Sequence, residues 1–117
     1  MEKLVTELIK FQIILRLFHW KTTSYAKHQA LGSAYSALDG LLDSFVEIYQ
    51  GKNDRLSGIG ALKVSGVTLD SAIADIANIL VDSSAEIFDE KTDTDLLNVR
   101  DEILAEINKL SFLLTLK

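Results

Sequence analysis

The sequence predicts an all-α fold, a four-helix bundle in which one long crossover joins helices 2 and 3. Three observations carry that expectation. Apolar residues recur in alternating steps of three and four through four segments. The 117 residues include no proline to break a helix. Four of the six glycines gather in one stretch between Gly51 and Thr68, where the helical pattern stops.

The first helix is expected over residues 2 to 21, and it is apolar on two sides. Leu4, Leu8, Phe11, Leu15 and Phe18 make one stripe; Val5, Ile9, Ile13, Leu17 and Trp20 make another. One stripe suffices for a core within the chain. The second calls for a partner subunit, because an apolar face of that length is a liability on a monomer. Lys21 to Ser24 forms the turn, with Thr22, Thr23 or Ser24 available as N-cap of the second helix.

The second helix is expected from residue 25 to about 50, with Gly51 in the left-handed conformation as its stop. Its seam runs Leu31, Tyr35, Leu38, Leu42, Phe45 and Tyr49. Gly32, Ser36 and Gly40 recur every four residues, although glycine in a helix costs ~1 kcal/mol relative to alanine. That stripe predicts a face kept flat for the close approach of another backbone. The crossover follows, with one short helical turn expected at Ile59 to Lys63. The third helix is expected from Leu69 to Glu90, capped by Thr68 or Asp70 and burying Leu69, Ile73, Ile76, Leu80 and Ile87. After a turn at Lys91 to Asp93, in which Thr92 and Asp95 have the spacing of a capping box, the fourth helix runs to the C-terminus. It buries Leu96, Val99, Ile103, Ile107, Leu110 and Leu114. Short turns at both ends and a long connection in the middle are the ferritin-like connectivity, and residues 1–117 read as a single domain of that kind.

Composition narrows the chemistry. With no cysteine, disulfides and thiolate metal sites are excluded, so a metal has only imidazole and carboxylate ligands available. A formal net charge of -5 argues against binding to nucleic acid through its phosphates. No apolar run reaches the ~20 residues of a membrane span, so no membrane partner is expected. The N-terminal apolar positions are interleaved with charges, unlike a signal peptide, and the expected location is the cytoplasm.

Both histidines, His19 and His28, flank the first turn, and the second helix carries a row of acids, Asp39, Asp43 and Glu47, one turn apart. Like charges at that spacing repel by roughly 0.2 to 0.5 kcal/mol per pair, and no Lys or Arg lies between Lys27 and Lys52 to relieve them. Their counter-charge must come from another helix, another subunit, a metal ion or water. Lys10 or Arg16 on the neighbouring helix could supply it in a purely structural pairing, and His19 could simply cap the carbonyls at its helix end.

The pattern His19-Trp20, a turn, His28, Tyr35, Asp43 and Glu47 resembles the ferroxidase-site signature of the Dps family, small ferritin-like proteins that oxidise and store iron. The resemblance implies a protein that binds iron, with other divalent metals as alternative occupants, in which His19, His28, Asp43 and Glu47 are at once metal ligands and catalytic residues for the oxidation of ferrous to ferric iron. It also implies a homo-oligomer, a two-fold dimer or larger shell, with the histidines contributed by one subunit and the acids by the other. The chain departs from the family in its shorter turn between the histidines, in Gly32 where relatives carry an acid, and in lacking a lysine-rich N-terminal tail. These departures keep a second expectation in play: a non-catalytic helical assembly protein on the same fold.

Overall fold

A computed structural model describes residues 1–117 and contains four helices and no strand: α1 (Glu2–Lys21), α2 (Tyr25–Lys52), α3 (Leu69–Ile87) and α4 (Thr94–Leu113). Each helix packs on two others. α1 lies against α2 and α3, α4 lies against the same two, and the remaining pairs are diagonal across the core. Leu8, Leu15, Leu31, Phe45, Leu80, Leu96 and Ile103 fill the centre. Phe45 is completely buried and meets Phe88 edge to face, with ring centroids 5.7 Å apart. Removing such a side chain to alanine costs about 3 to 5 kcal/mol. No helix is long and apolar enough to cross a membrane.

The apolar stripes chosen from periodicity divide only in part, since Val5 of the second is buried within the chain and Phe18 of the first is half-buried. Leu4, Leu8, Phe11 and Leu15 are buried, whereas Ile13 and Trp20 of the second stripe stand exposed on a single chain, Trp20 at 66%. Trp20 is therefore a surface residue here. Ile14, on neither stripe, is buried as well, because α3 packs on that side of α1.

Several boundaries and caps differ from the sequence expectation. Gly51 does not stop α2: the helix continues to Lys52, and Asn53 in extended conformation closes it, its amide donating to the Tyr49 carbonyl. The left-handed glycine falls later, at Gly66 (φ 74), where the chain turns into Thr68 and α3. The expected turn of helix at Ile59 to Lys63 is irregular chain, tied down instead by hydrogen bonds to α1. Gly60 N–H donates to Thr6 Oγ1 (2.9 Å) and Ser57 N–H to Glu2 (3.4 Å). That carboxylate is held below its usual range by accepting backbone N–H bonds from its own residue and Ser57. Helix α3 ends at Ile87 rather than Glu90, since Asp89 takes the turn: its carboxylate accepts from the amides of Lys91 (2.8 Å) and Thr92 (3.0 Å). Thr92 and Asp95 do not form a capping box. The carbonyl of Thr92 and the carboxylate of Asp95 both accept from Lys52 Nζ instead. Ser24 and Thr68 do cap α2 and α3, accepting from the amides of Lys27 and Ser71 at 3.3 Å.

Candidate metal centre

His19 occupies the last turn of α1, where backbone carbonyls have no partner within the helix, and His28 occupies the first turn of α2. The turn between them folds the two rings onto each other, with centroids 3.7 Å apart and planes 17° from parallel. Each ring then bonds to the backbone of the other residue. His28 Nδ1 lies 2.8 Å from the His19 carbonyl oxygen, and His19 Nδ1 lies 2.7 Å from that of His28. A carbonyl only accepts, so both Nδ1 atoms carry a hydrogen in these bonds. In the singly protonated tautomer Nε2 then keeps its lone pair, the arrangement in which metal-ligating histidines are held by a second partner. Each Nε2 thus has the chemistry of a metal ligand, but lone pairs in the planes of two stacked rings do not converge, so the two imidazoles of one chain do not chelate a single ion by themselves.

Three further residues build this end. An added Cβ at Gly32 would stand 2.9 Å from Cε1 of His19, so the ring has its place because residue 32 has no side chain. Tyr35, one turn further, meets the His19 ring edge-on at 5.3 Å. The Arg16 guanidinium lies over the Tyr35 ring at 4.7 Å, and its Nε is buried without a hydrogen-bond partner. Tyr35 belonged to the sequence pattern; the parts played by Arg16 and Gly32 did not follow from it. A readable signal was present nonetheless, since Gly32 lies one helical turn beyond His28 and invites a ring to pack there. At Gly32 the flat stripe thus serves an imidazole of the same chain, whereas at Gly40 nothing comes within 4 Å.

The acids lie elsewhere. Asp43 and Glu47 are exposed and neither takes part in an ion pair, so the pairing with Lys10 or Arg16 does not form within one chain. Asp39 accepts from the Gln12 side-chain amide. Because α2 is unbroken, Asp43 stands ~22 Å and Glu47 ~28 Å along the helix from His28 at 1.5 Å per residue. The structure brings His19 and His28 together and leaves Asp43 and Glu47 apart from them. No group of three or more His, Asp or Glu side chains in one chain is placed to hold a metal ion.

At the opposite end, Lys52 Nζ reaches Asp93 and Asp95, both at 2.8 Å, and the Thr92 carbonyl at 2.7 Å. The bond to Asp93, then that to Asp95, raises the lysine's pKa, and Lys52 in turn holds both carboxyls below the usual carboxylate range. This cluster fastens α2 to the α3–α4 turn, and all its polar groups are paired with one another.

Fold and site together define an all-helical bundle with a pair of backbone-anchored imidazoles at one end and unpaired acids along an outer face. Residues 19–114 match the model of a family described as a family of unknown function (DUF5856), and the chain belongs to that family. The matched span begins at His19 and includes His28, Asp43 and Glu47. No curated protein and no solved structure matches the chain.

Proposed function

We propose that this chain is a Dps-like iron-binding protein that assembles as a two-fold homodimer or larger shell and oxidises and sequesters ferrous iron at sites shared between subunits. His19 and His28 of one subunit supply imidazole nitrogens, Asp43 and Glu47 of the other supply carboxylates. The imidazoles suit the ferrous ion, and the carboxylates stabilise the harder ferric product. Iron is the substrate and cargo, peroxide the oxidant that the resemblance implies, and the cytoplasm the setting. The single observation that carries this reading is the reciprocal bonding of His19 and His28, which fixes both Nδ1 atoms as donors.

The ferritin-like connectivity is part of the same reading. It is supported by the order of neighbours around the core and by the path of residues 53–68. These residues run from the end of α2 past Glu2 and Thr6 of α1 towards the start of α3, and so return along the bundle before α3 begins. The distance between histidines and acids supports a shared site, since no bend in α2 could close it. A dimer in which the α2 helices run antiparallel brings each imidazole pair level with the other chain's acids when the two-fold axis passes about midway between residues 28–32 and 43–47. That midpoint falls between Ser36 and Gly40, where the face is flattest.

Mixing two damaged chains tests the proposal. A His19→Ala, His28→Ala chain and an Asp43→Asn, Glu47→Gln chain should each fail to oxidise ferrous iron. Random reassembly should restore about a quarter of wild-type sites, because each mixed dimer holds one intact site and one doubly damaged one. Tagged chains that co-purify yet remain inactive would show the shared-site reading to be wrong.

A second reading, a non-catalytic assembly protein, is favoured by Gly32. The His19 ring fills the space that an acid at position 32 would need, so the imidazole pair has value as a clasp between α1 and α2 without any metal. Titration of the wild-type protein with ferrous iron separates the two readings: no binding at micromolar iron selects the clasp.

A further inference from the structure

We propose that Arg16 of one copy of this chain forms an ion pair with Asp39 of a second copy, twice across a two-fold axis, and that this pair sets the register of the homodimer. The inference rests on the dimer in the reading above but not on iron. Its first support is an unpartnered charge: Arg16 makes no hydrogen bond or ion pair in its own chain, and its Nε is already withdrawn from solvent by packing on Tyr35. With Nε covered and unpaired, the guanidinium gains most from an acceptor at its outer nitrogens, which have no partner in the chain and which a carboxylate from outside can reach. The second is an unpartnered acid. Asp39 takes only the neutral amide of Gln12, with no cation beside it, and remains exposed.

The two charges lie in one groove and at matching heights. Gln12 stands opposite Asp39, Arg16 opposite Tyr35 and His19 opposite Gly32, so α1 and α2 run antiparallel in constant register. Arg16 is therefore one helical turn from Asp39 along the groove, a rise of ~6 Å. An axis perpendicular to the helices and midway between those levels passes close to Ala37 on α2 and carries Arg16 of each copy over Asp39 of the other. That level lies between Ser36 and Gly40, both exposed, where small side chains permit close contact. It also coincides with the axis inferred from the separation of histidines and acids, which did not use Arg16.

A second copy is the occupant that fits. Charges of both signs are left unmatched on one face, and a self-complementary partner returns each to its opposite. Beside them, Ile13 and Trp20 are 36% and 66% exposed, an apolar contribution to the same contact. The outer faces of α1 and α2 together measure roughly 30 Å by 20 Å from helix dimensions, about 600 Å² and so at the lower bound of what each partner of a stable interface buries.

Charge reversal on separate chains tests the pair without iron. An Arg16→Glu chain places two acids together in its own dimer, and an Asp39→Lys chain places two cations together. Each should self-associate about tenfold or more weakly than wild type by sedimentation equilibrium. Mixed, the two should recover wild-type affinity, because one contact of the heterodimer is then Glu with Lys and the other is Arg with Asp. If the wild type dimerises and neither variant weakens it, or if mixing restores nothing, the pairing is wrong while the shared iron site stands on its own test. A monomeric wild type overturns both. Should either reversal lose helix content by circular dichroism, the cycle Arg16→Gln, Asp39→Asn and their combination serves instead. Losses smaller in combination than their sum support the pair, and additive losses overturn it.

Discussion

At the α1–α2 turn, two imidazoles close the bundle by bonding to backbone carbonyls, whereas at the far end one lysine and the carboxylates of the α3–α4 turn do so by charge. The first clasp is packed: ring on ring, ring against bare glycine, tyrosine edge beneath. Its energy depends on shape and on leaving no carbonyl orphaned. The second lies near solvent, where ions are screened and individually contribute little. Its place in the fold is to fix the direction in which α4 leaves the turn, through amides that Asp89 and Asp93 bind directly. The difference teaches where the chain tolerates change. Steric precision is concentrated at the end with the exposed Trp20 and Tyr25, while the ionic end can lose a partner and be rehydrated.

The sharpest way to break this contrast is Gly32→Val. A Cβ there would press on the His19 ring at 2.9 Å, and the branched side chain would add to the clash. Overpacking of this kind costs about 1 to 3 kcal/mol, read as a lowered thermal midpoint, and it should also separate the two imidazole signals in NMR. A Gly32→Val protein with unchanged stability would show that the ring stack is not required. His28→Ala should come next, at roughly 1 to 2 kcal/mol, because it leaves the His19 carbonyl without its acceptor bond and removes the stacking partner. Denaturant unfolding measures it.

The smallest effect at neutral pH belongs to Lys52→Met, and its signature is in pH dependence. Asp93 and Asp95 are held below their ordinary value of 3.8, so their contribution is present above that value and disappears as pH falls through the lower folded value. Lys52 is raised above 10.5, so its contribution is present below 10.5 and disappears as pH rises through the higher folded value. Wild type should therefore lose stability at both extremes, and Lys52→Met should flatten both limbs while changing little between them. Equal steepness in the two proteins would remove the ionic clasp from the comparison.

The amino-acid sequence by itself determined the four helices and most of their inward faces, because a period of 3.6 residues uninterrupted by proline is a local property that packing only had to accept. It also narrowed the caps to Thr22, Thr23 or Ser24 and to Thr68 or Asp70, of which the structure uses Ser24 and Thr68, whose hydroxyls bond within three residues. Gly51 misled because glycine permits a left-handed stop without requiring one, and Lys52, drawn on to Asp93 and Asp95, holds the last two residues in helix. Thr92 and Asp95 misled for the same reason: their local spacing suits a cap, but a lysine forty residues away binds both. The candidate ligands were legible as residue types and spacings. Only the tertiary structure decided that His19 and His28 meet ring to ring over Gly32, since that contact depends on the angle at which α1 returns into α2. The same rigidity of α2 keeps Asp43 and Glu47 out of reach of both, because an unbroken helix converts every residue of separation into a fixed 1.5 Å of distance.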